Sequence, residues 1–161
     1  MSINGTNFRI PQTGEAKRGN WFASHKYSFK SALRYEIGVS IMGGPVMDQG
    51  PYPAGRFNVI AIFNKVLRHF LEPGERVEAY NGYVGAADKI KCARTIRVTW
   101  WKIRGCSPEQ GINGRFKIRG ILKHTYHHDI RRHGEVFQAI ATMTRLAVSN
   151  GSPLFSVEYE D

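Results

Sequence analysis

The chain has 161 residues, of which 42% are hydrophobic and 12% aromatic, and it carries a formal net charge of +10. This length and composition exclude a disordered or low-complexity chain and predict one domain with a hydrophobic core over residues 1–161. No apolar run approaches the roughly 20 residues that cross a bilayer, and no apolar segment follows a basic start, so we expect an intracellular protein without a membrane contact.

The first element is predicted by "MSINGTNFRI", in which polar and apolar residues alternate as in a half-buried β-strand over residues 3–10. Its polar positions include Asn4 and Asn7. The stretches "WFASHKYSF" (21–29) and "LRYEIGVSIM" (33–42) predict two further strands, so the sheet begins with three antiparallel strands. The segment 43–55 is rich in Gly and Pro and predicts a loop around a short edge strand at 45–48.

From Asn58 the spacing of apolar residues becomes helical and continues to Leu71, with Asn58 as the predicted N-cap. "RVEAY" (76–80) predicts a strand and "NGYVG" a turn, which gives the order βββαβ. Residues 86–108 form a connection with the candidate strand "TIRVTWW" (95–101). One helix is predicted over 107–128. A second is predicted over 134–151, with its apolar stripe at Val136, Phe137, Ile140, Met143, Leu146 and Ala147.

Positive charge is concentrated in one segment. Residues 89–134 contain twelve Lys and Arg against two acidic residues, a net charge of +10, whereas the segments before and after it carry +3 and −3. A basic block with interleaved Trp100 and Trp101 is typical of a surface that binds a polyanion, most simply nucleic acid. A solvated basic face without a partner is the alternative.

Several phrases of the chain resemble the DDE superfamily endonuclease domain of Harbinger-like transposases. They are "INGTNFRI", "SHKYSFKSALRYEIGVSI", "GPYPAG", "EPGERVEAYNGY", "NGRFK" and "HGEVFQAIATMTRLAVSNGSPLFSVEY", in the order of the family. The resemblance covers nearly the whole chain, but not the DNA-binding region that usually precedes this domain. It implies an α/β, ribonuclease-H-like fold: a mixed sheet whose first three strands are antiparallel, flanked by helices.

The resemblance also implies a catalytic triad of two aspartates and a glutamate that holds two Mg2+ or Mn2+ ions. At the matching positions this chain has Asn4, Tyr80 and Gln110, and an accessory acidic position is Val59. None of these side chains supplies an anionic oxygen at neutral pH. We therefore expect no metal cofactor and a catalytically inactive domain.

A rebuilt metal site is the alternative to inactivity. Glu109 lies one residue before Gln110 at the start of a predicted helix, and Asp48 and Asp88 lie in predicted loops. With Glu109 as the surviving acid, the domain would be a residual metal-dependent endonuclease. An inert relic of a mobile element and a protein-interaction role also stay open.

Four histidines, His124, His127, His128 and His133, crowd one region. His124 and His128 have the i, i+4 spacing of zinc ligands on one helix face, but no Cys or second His pair matches them. We interpret them as imidazoles on a phosphate-facing surface. Cys92 and Cys106 are interpreted as reduced thiols.

The sequence thus predicts a transposase-derived, inactive nuclease-like domain that binds nucleic acid, with DNA favoured, without sequence preference. Its ancestry predicts a nuclear location in a eukaryotic host. The predicted nucleic-acid contacts are Arg97, Lys102, Arg104, Arg115, Lys117, Arg119, Lys123, Arg131 and Arg132.

Overall fold

The computed structural model describes residues 1–12, 22–28, 30–40, 47–79, 81–92 and 108–151, without the side chains of Asn81, Cys92 and 108–110. These residues form an α/β fold in which helices flank a mixed open sheet. The strands are β1 (Ser2–Arg9), β2 (Ala23–Ser24), β3 (Lys30–Val39), β4 (Met47–Pro53), β5 (Val77–Ala79) and β6 (Ile90–Cys92). The helices are α1 (Val59–Lys65), α2 (Pro108–Ile118), α3 (Gly120–Lys123) and α4 (His133–Ser149).

Strand β1 lies in the middle of the sheet. All eight of its residues pair with β3 in antiparallel register, from Ser2 opposite Val39 to Arg9 opposite Ala32. On its other side β1 runs parallel to β5, and β5 runs parallel to β6. Strands β2 and β4 both pair with β3 in antiparallel direction, which gives the order β2-β3-β1-β5-β6 with β4 also against β3.

Each face of the sheet carries its own hydrophobic core. On one face, Phe8 of β1 and Tyr35 of β3 pack with residues of α2 and α4 such as Phe116 and Phe137. On the other face, Ile3 packs with residues of α1, β5 and the turn that follows β5. Because both faces are covered, β1 has few positions at which a side chain reaches solvent.

Gly5 sets how closely α1 approaches the sheet. A Cβ atom at Gly5 would overlap Cγ1 of Val59, so one of the two groups would have to move. Val59 is buried in the first turn of α1, whose N-cap is Asn58, with its side chain accepting a hydrogen bond from the amide of Ala61 at 2.8 Å. The apolar residue at the accessory acidic position therefore packs against the glycine of β1.

Several elements agree with the sequence predictions. Strands β1, β3 and β5, helix α4 and the N-cap of α1 lie where the patterns place them. Helix α1 begins as predicted but ends at Lys65, and a 3-10 turn at Leu67–Phe70 takes the place of the helix expected up to Leu71. The short edge strand expected at 45–48 is found as β4, which extends to Pro53. Its positions Gly50 and Pro51 fall where the register with β3 shifts, between Arg34 and Glu36, and this irregularity lets an edge strand accommodate proline. Strand β6 was not predicted, and the candidate strand 95–101 lies outside the described residues.

The predicted strand over 21–29 is wrong for most of its length. Among the described residues 22–28, only Ala23 and Ser24 form a strand; a 3-10 turn follows at His25–Tyr27, and Ser28 adopts a left-handed backbone conformation. The Tyr27 hydroxyl donates a hydrogen bond of 2.8 Å to the Asn7 carbonyl, which holds this turn against β1. Strand β2 pairs with β3 and not with β1, and β1 pairs with β3 along its full length.

The helix predicted over 107–128 is also shorter than expected. The extended backbone of Arg119 separates α2 from the one-turn α3, and the chain is extended again at His124. The amide of Tyr126 donates to the Arg9 carbonyl at 2.9 Å, so this segment continues along the end of β1 instead of the helix.

Helix α4 turns a different stripe to the core than its sequence predicts. Its buried positions are His133, Phe137, Ile140, Ala141 and Thr144. Met143 is 45% exposed, Leu146 is 57% exposed and Ala147 is exposed as well, so the predicted stripe is wrong at these three positions. The small Ala141 permits close packing, and the Thr144 hydroxyl donates to the Ile140 carbonyl, so this face can be buried without an unsatisfied hydroxyl.

Within the described ranges, no helix is both long enough and apolar enough to cross a membrane.

The close approach of α1 to β1 predicts the effect of Gly5→Ala. The added methyl must displace Val59, and we expect a loss of about 1–3 kcal/mol in the free energy of unfolding. In Gly5→Ala/Val59→Ala the loss should be smaller than the sum of the two single losses, because the second change removes the clash. Urea unfolding of the four proteins measures this coupling.

Gly114→Ala is the control for this cycle, because no atom lies within 4 Å of its added Cβ and the position is helical. It should leave stability unchanged or raise it by up to about 1 kcal/mol. Strict additivity of Gly5→Ala and Val59→Ala would contradict the proposed contact.

Candidate functional site

Asn4, at the first triad position that the sequence resemblance implies, is half-buried on the face of β1 that also carries Phe8. Ile37 of β3 lies opposite Asn4, and Asp48 of β4 lies opposite Ile37. Asp48 is the nearest acid in this row of strands, but its carboxylate forms an ion pair of 2.5 Å with Arg145. The Asp48 side chain is 4% exposed. Burial raises the pKa of Asp48, and the charge of Arg145 lowers it. The Asp48 carboxylate therefore already has a cationic partner.

The structure describes the other two triad positions that the resemblance implies only incompletely. Strand β5 ends at Ala79, which lies beside Ile3, and Tyr80 lies outside the described residues. Gln110 and Glu109 belong to the first turn of α2, which packs on the same face of the sheet as Asn4. Their side chains lie outside the described part of the chain, so the position of a Glu109 carboxylate stays a prediction.

The described residues do not supply the donors of a two-metal site. Asn4 offers a neutral amide, and Asp48 and Asp88 are paired with Arg145 and Arg68, the latter pair at 2.9 Å. Nowhere in the described ranges do three His, Cys, Asp or Glu side chains gather as metal ligands would. Mg2+ prefers several anionic oxygens in near-octahedral geometry, which this set does not provide.

Asn7 has a structural reason to be an amide. Its Nδ2 donates to Oγ of Ser24 at 2.7 Å, and its Oδ1 accepts from Nε of Arg34 at 2.9 Å. Arg34 also donates to the carbonyl of Phe57 at 2.7 Å. The buried Asn7 thus links β1, β2 and β3 as both donor and acceptor, which a carboxylate cannot do.

The histidines do not form a cluster of ligands. His124, His127 and His128 are exposed and lie after the end of α3, outside any helix, so the predicted i, i+4 pair on one helix face is wrong. His133 is fully buried, where its Nδ1 shares a hydrogen bond of 2.7 Å with the Tyr35 hydroxyl. Burial lowers the pKa of His133 to about 4, so this imidazole is neutral at physiological pH.

Three cations meet at the end of β1 and form what we call the basic patch: Arg9, Lys26 and Lys117. They come from the last residue of β1, the 3-10 turn after β2 and the last turn of α2. Burial lowers the pKa of Lys117, and the nearby charges of Lys26 and Arg9 lower it further. The Arg9 guanidinium lies 5.0 Å from the centre of the Tyr27 ring.

No carboxylate among the described residues pairs with any member of the basic patch. Like charges that converge without a counter-charge raise the energy of the free protein, and an anion bound between them removes this repulsion. The patch is therefore suited to bind phosphate groups.

The other nucleic-acid contacts predicted from the sequence do not belong to the basic patch. Arg119, between α2 and α3, and Lys123, the last residue of α3, are exposed. Arg131 and Arg132 form ion pairs with Asp129 at 2.8 Å and Glu135 at 3.2 Å, so acids offset their charge. Arg115 lies on α2, and Arg97, Lys102 and Arg104 lie outside the described residues.

Sequence reasoning missed Arg9 and Lys26, because both lie before the segment 89–134 in which positive charge is concentrated. Only the pairing of β1 with β3 and the turn at His25–Tyr27 bring them to Lys117. The sequence gives one indication of this patch: the alternating pattern of β1 places Arg9 at the end of the strand.

Comparison of the chain with protein-family models, curated proteins and solved structures found no match.

The buried His133 predicts an acid-dependent loss of stability. The pKa of His133 is about 4 in the folded protein and about 6.5 in the unfolded chain. Between these pH values the unfolded chain binds more protons, so the free energy of unfolding decreases as the pH is lowered. The stability advantage of the wild type over His133→Gln should shrink by about 3 kcal/mol from pH 7 to pH 4. The difference between the two proteins isolates His133 from other groups that titrate in this range.

His69→Gln is the control, because His69 is exposed in the 3-10 turn that follows α1. Urea unfolding should give it the pH profile of the wild type. A pH-independent difference between the wild type and His133→Gln would show that His133 does not titrate on unfolding.

Proposed function

We propose that this protein is a transposase-derived, DDE endonuclease-like domain that binds nucleic acid through its basic patch and does not cleave it. The observation that carries the proposal is the convergence of Arg9, Lys26 and Lys117 without a described acidic partner. Phosphates of a DNA backbone supply the missing negative charge, and contacts to phosphates carry no sequence information. Binding is therefore nonspecific.

The mixed sheet between helices is compatible with a ribonuclease-H-like fold, which the resemblance of the sequence implies. The long antiparallel pair of β1 and β3 and the parallel neighbour β5 support this assignment. The strand order departs from a simple start of three antiparallel strands, because the two-residue β2 pairs with β3 and not with β1. The fold family is thus part of the proposal.

The absence of cleavage rests on the donor chemistry. In the related endonucleases carboxylates hold two divalent ions, whereas this chain places Asn4 on the central strand and has Tyr80 and Gln110 at the other two positions. An amide binds a divalent cation far more weakly than a carboxylate, since it carries no charge to offset the ion. We derive no metal-dependent step from these residues.

DNA binding should depend steeply on salt and on the basic patch. We expect Lys117→Gln and Lys26→Gln each to weaken binding to a labelled duplex and to reduce the slope of log affinity against log salt by about 0.9 per lost phosphate contact. Fluorescence anisotropy over a series of salt concentrations measures both effects.

Two variants are the controls. Arg76→Gln removes an exposed cation far along the sequence, and Arg131→Gln removes one that is paired with Asp129. Both should keep the wild-type slope. The basic patch is the wrong site if Arg131→Gln changes the slope and Lys117→Gln does not, and the proposal as a whole fails if the wild type binds no DNA at low salt.

The alternative, a residual endonuclease that uses Glu109, makes an opposite prediction for plasmid DNA. We expect no nicking by the wild type in Mg2+ or Mn2+, and the same result for Glu109→Gln. Nicking that depends on the metal and is lost in Glu109→Gln would establish the endonuclease. A protein that neither binds nor cleaves would fit the inert relic.

A further inference from the structure

A row of polar and aromatic residues crosses the sheet on the face that carries α1, next to the row that contains Gly5. Asn7 of β1, Arg34 of β3 and Tyr52 of β4 lie opposite one another in this row. Residues opposite each other in a sheet point to the same face, and so does Arg9, two residues after Asn7. The row therefore leads from β4 to the basic patch.

Hydrogen bonds hold two aromatic residues against this row. Arg34 donates from Nε to Oδ1 of Asn7 at 2.9 Å and from Nη1 to the carbonyl of Phe57 at 2.7 Å. The Tyr27 hydroxyl donates to the carbonyl of Asn7 at 2.8 Å. Tyr27 is thus anchored through Asn7, and Phe57 is anchored through Arg34.

Two rings and two cations meet where the row reaches β4. The ring centres of Tyr52 and Phe57 are 5.2 Å apart. The Nζ atom of Lys65, the last residue of α1, lies 5.3 Å from each of these centres, and the Arg56 guanidinium lies 5.6 Å from that of Phe57. Both rings are half-buried, so each has a fixed position and keeps part of its surface accessible.

We call the three rings and the two cations at the ends of this row the aromatic strip: Tyr27, Tyr52 and Phe57 with Arg9 and Lys65. Both cations are exposed and lie over rings of the strip. Among the described residues, neither cation forms an ion pair with an acid. The strip therefore combines accessible rings with positive charge.

One acid lies close to the aromatic strip. Glu36 of β3 is fully buried, and burial raises its pKa to about 7, so its carboxyl group is only partly ionised at neutral pH. Burial, and then the charge of Glu36, raise the pKa of Tyr52. Burial also raises the pKa of Tyr27. Both hydroxyls are therefore neutral at physiological pH, and no phenolate repels a phosphate at the strip.

We propose that the aromatic strip binds single-stranded nucleic acid: bases stack on its three rings, and backbone phosphates lie beside its two cations. Rings combined with cations are a common means of binding single strands without sequence preference. The bases of a duplex are paired and stacked inside the double helix, so they do not reach the rings. This inference rests on the proposed function and deepens it, because Arg9 belongs both to the basic patch and to the strip.

Binding of the full chain to a labelled oligothymidylate and to a duplex of the same length, each about 12 nucleotides long, tests the proposal. Phe57→Leu and Tyr52→Leu should each weaken binding of the single strand by about 5-fold or more, the loss of one stacked base, and leave duplex binding unchanged. Neither change removes a charge, so the slope of log affinity against log salt should stay that of the wild type. An oligouridylate of equal length distinguishes RNA from DNA as the better strand.

Phe70→Leu is the matched control, because Phe70 is 75% exposed in the 3-10 turn after α1 and takes no part in the strip. It should bind both nucleic acids as the wild type does. Photocrosslinking gives a readout that needs no variant. An oligonucleotide with 5-iodouracil in place of thymine should crosslink the wild type at Tyr27, Tyr52 or Phe57, which mass spectrometry of the peptides locates.

Crosslinks confined to Trp100 and Trp101 would overturn the proposal, and so would equal effects of Phe57→Leu and Phe70→Leu on the single strand. If Lys117→Gln then still weakens duplex binding, the proposed function stands without the strip. Conversely, single-strand binding that is lost in Phe57→Leu and unaffected by Lys117→Gln would support the strip and refute the basic patch. Absence of binding to either oligonucleotide would refute both.

Discussion

The pairing of β1 with β3 along the full length of β1 is the constraint on which the rest of the structure depends. It fixes which side chains of β1 face α1 and which face α2 and α4, since a shift by one residue would exchange the two faces. On one face this register leaves Gly5 beneath α1, and on the other it inserts Phe8 among the aromatic residues of the larger core. It also ends β1 at Arg9, beside the turn that carries Lys26.

The two asparagines of β1 have different explanations. Asn7 is buried and joins three strands through one donor and one acceptor, so its amide is a structural requirement of this sheet. Asn4 is half-buried on the face of β1 that carries Phe8. Under the proposed function it occupies the place of a metal-binding aspartate in the endonucleases that the sequence resembles, and an amide there keeps the shape of that side chain without its charge.

The sequence patterns predict the elements that depend on local periodicity. Period-two alternation located β1 and β3, and the Asn58 N-cap with its helical run located α1. Where neighbouring elements decide the backbone, the patterns were insufficient. The 3-10 turn at His25–Tyr27 follows two strand residues in a segment whose composition favours a longer strand. After α3, residues 124–126 leave the helical conformation, and the amide of Tyr126 donates to the end of β1. The inner face of α4 was set by which residues can pack against the sheet.

The candidate sites show the same limit. The concentration of charge in 89–134 was visible in the sequence, but the basic patch draws two of its three members from earlier segments. The burial of Glu36 was not foreseen either, because the alternation of β3 places this residue on the polar face of the strand. Both features arise from tertiary contacts between β1, β3 and their neighbours.

The central claim is that nucleic acid binds where Arg9, Lys26 and Lys117 converge. A 15N-labelled sample titrated with an unlabelled duplex of about 12 base pairs at low salt tests it most directly, because amide shifts report the site residue by residue. The account predicts that the largest shifts fall at residues 9, 26–27 and 117 and diminish together as salt is added. Shifts centred on 131–132, or none at all, would contradict it.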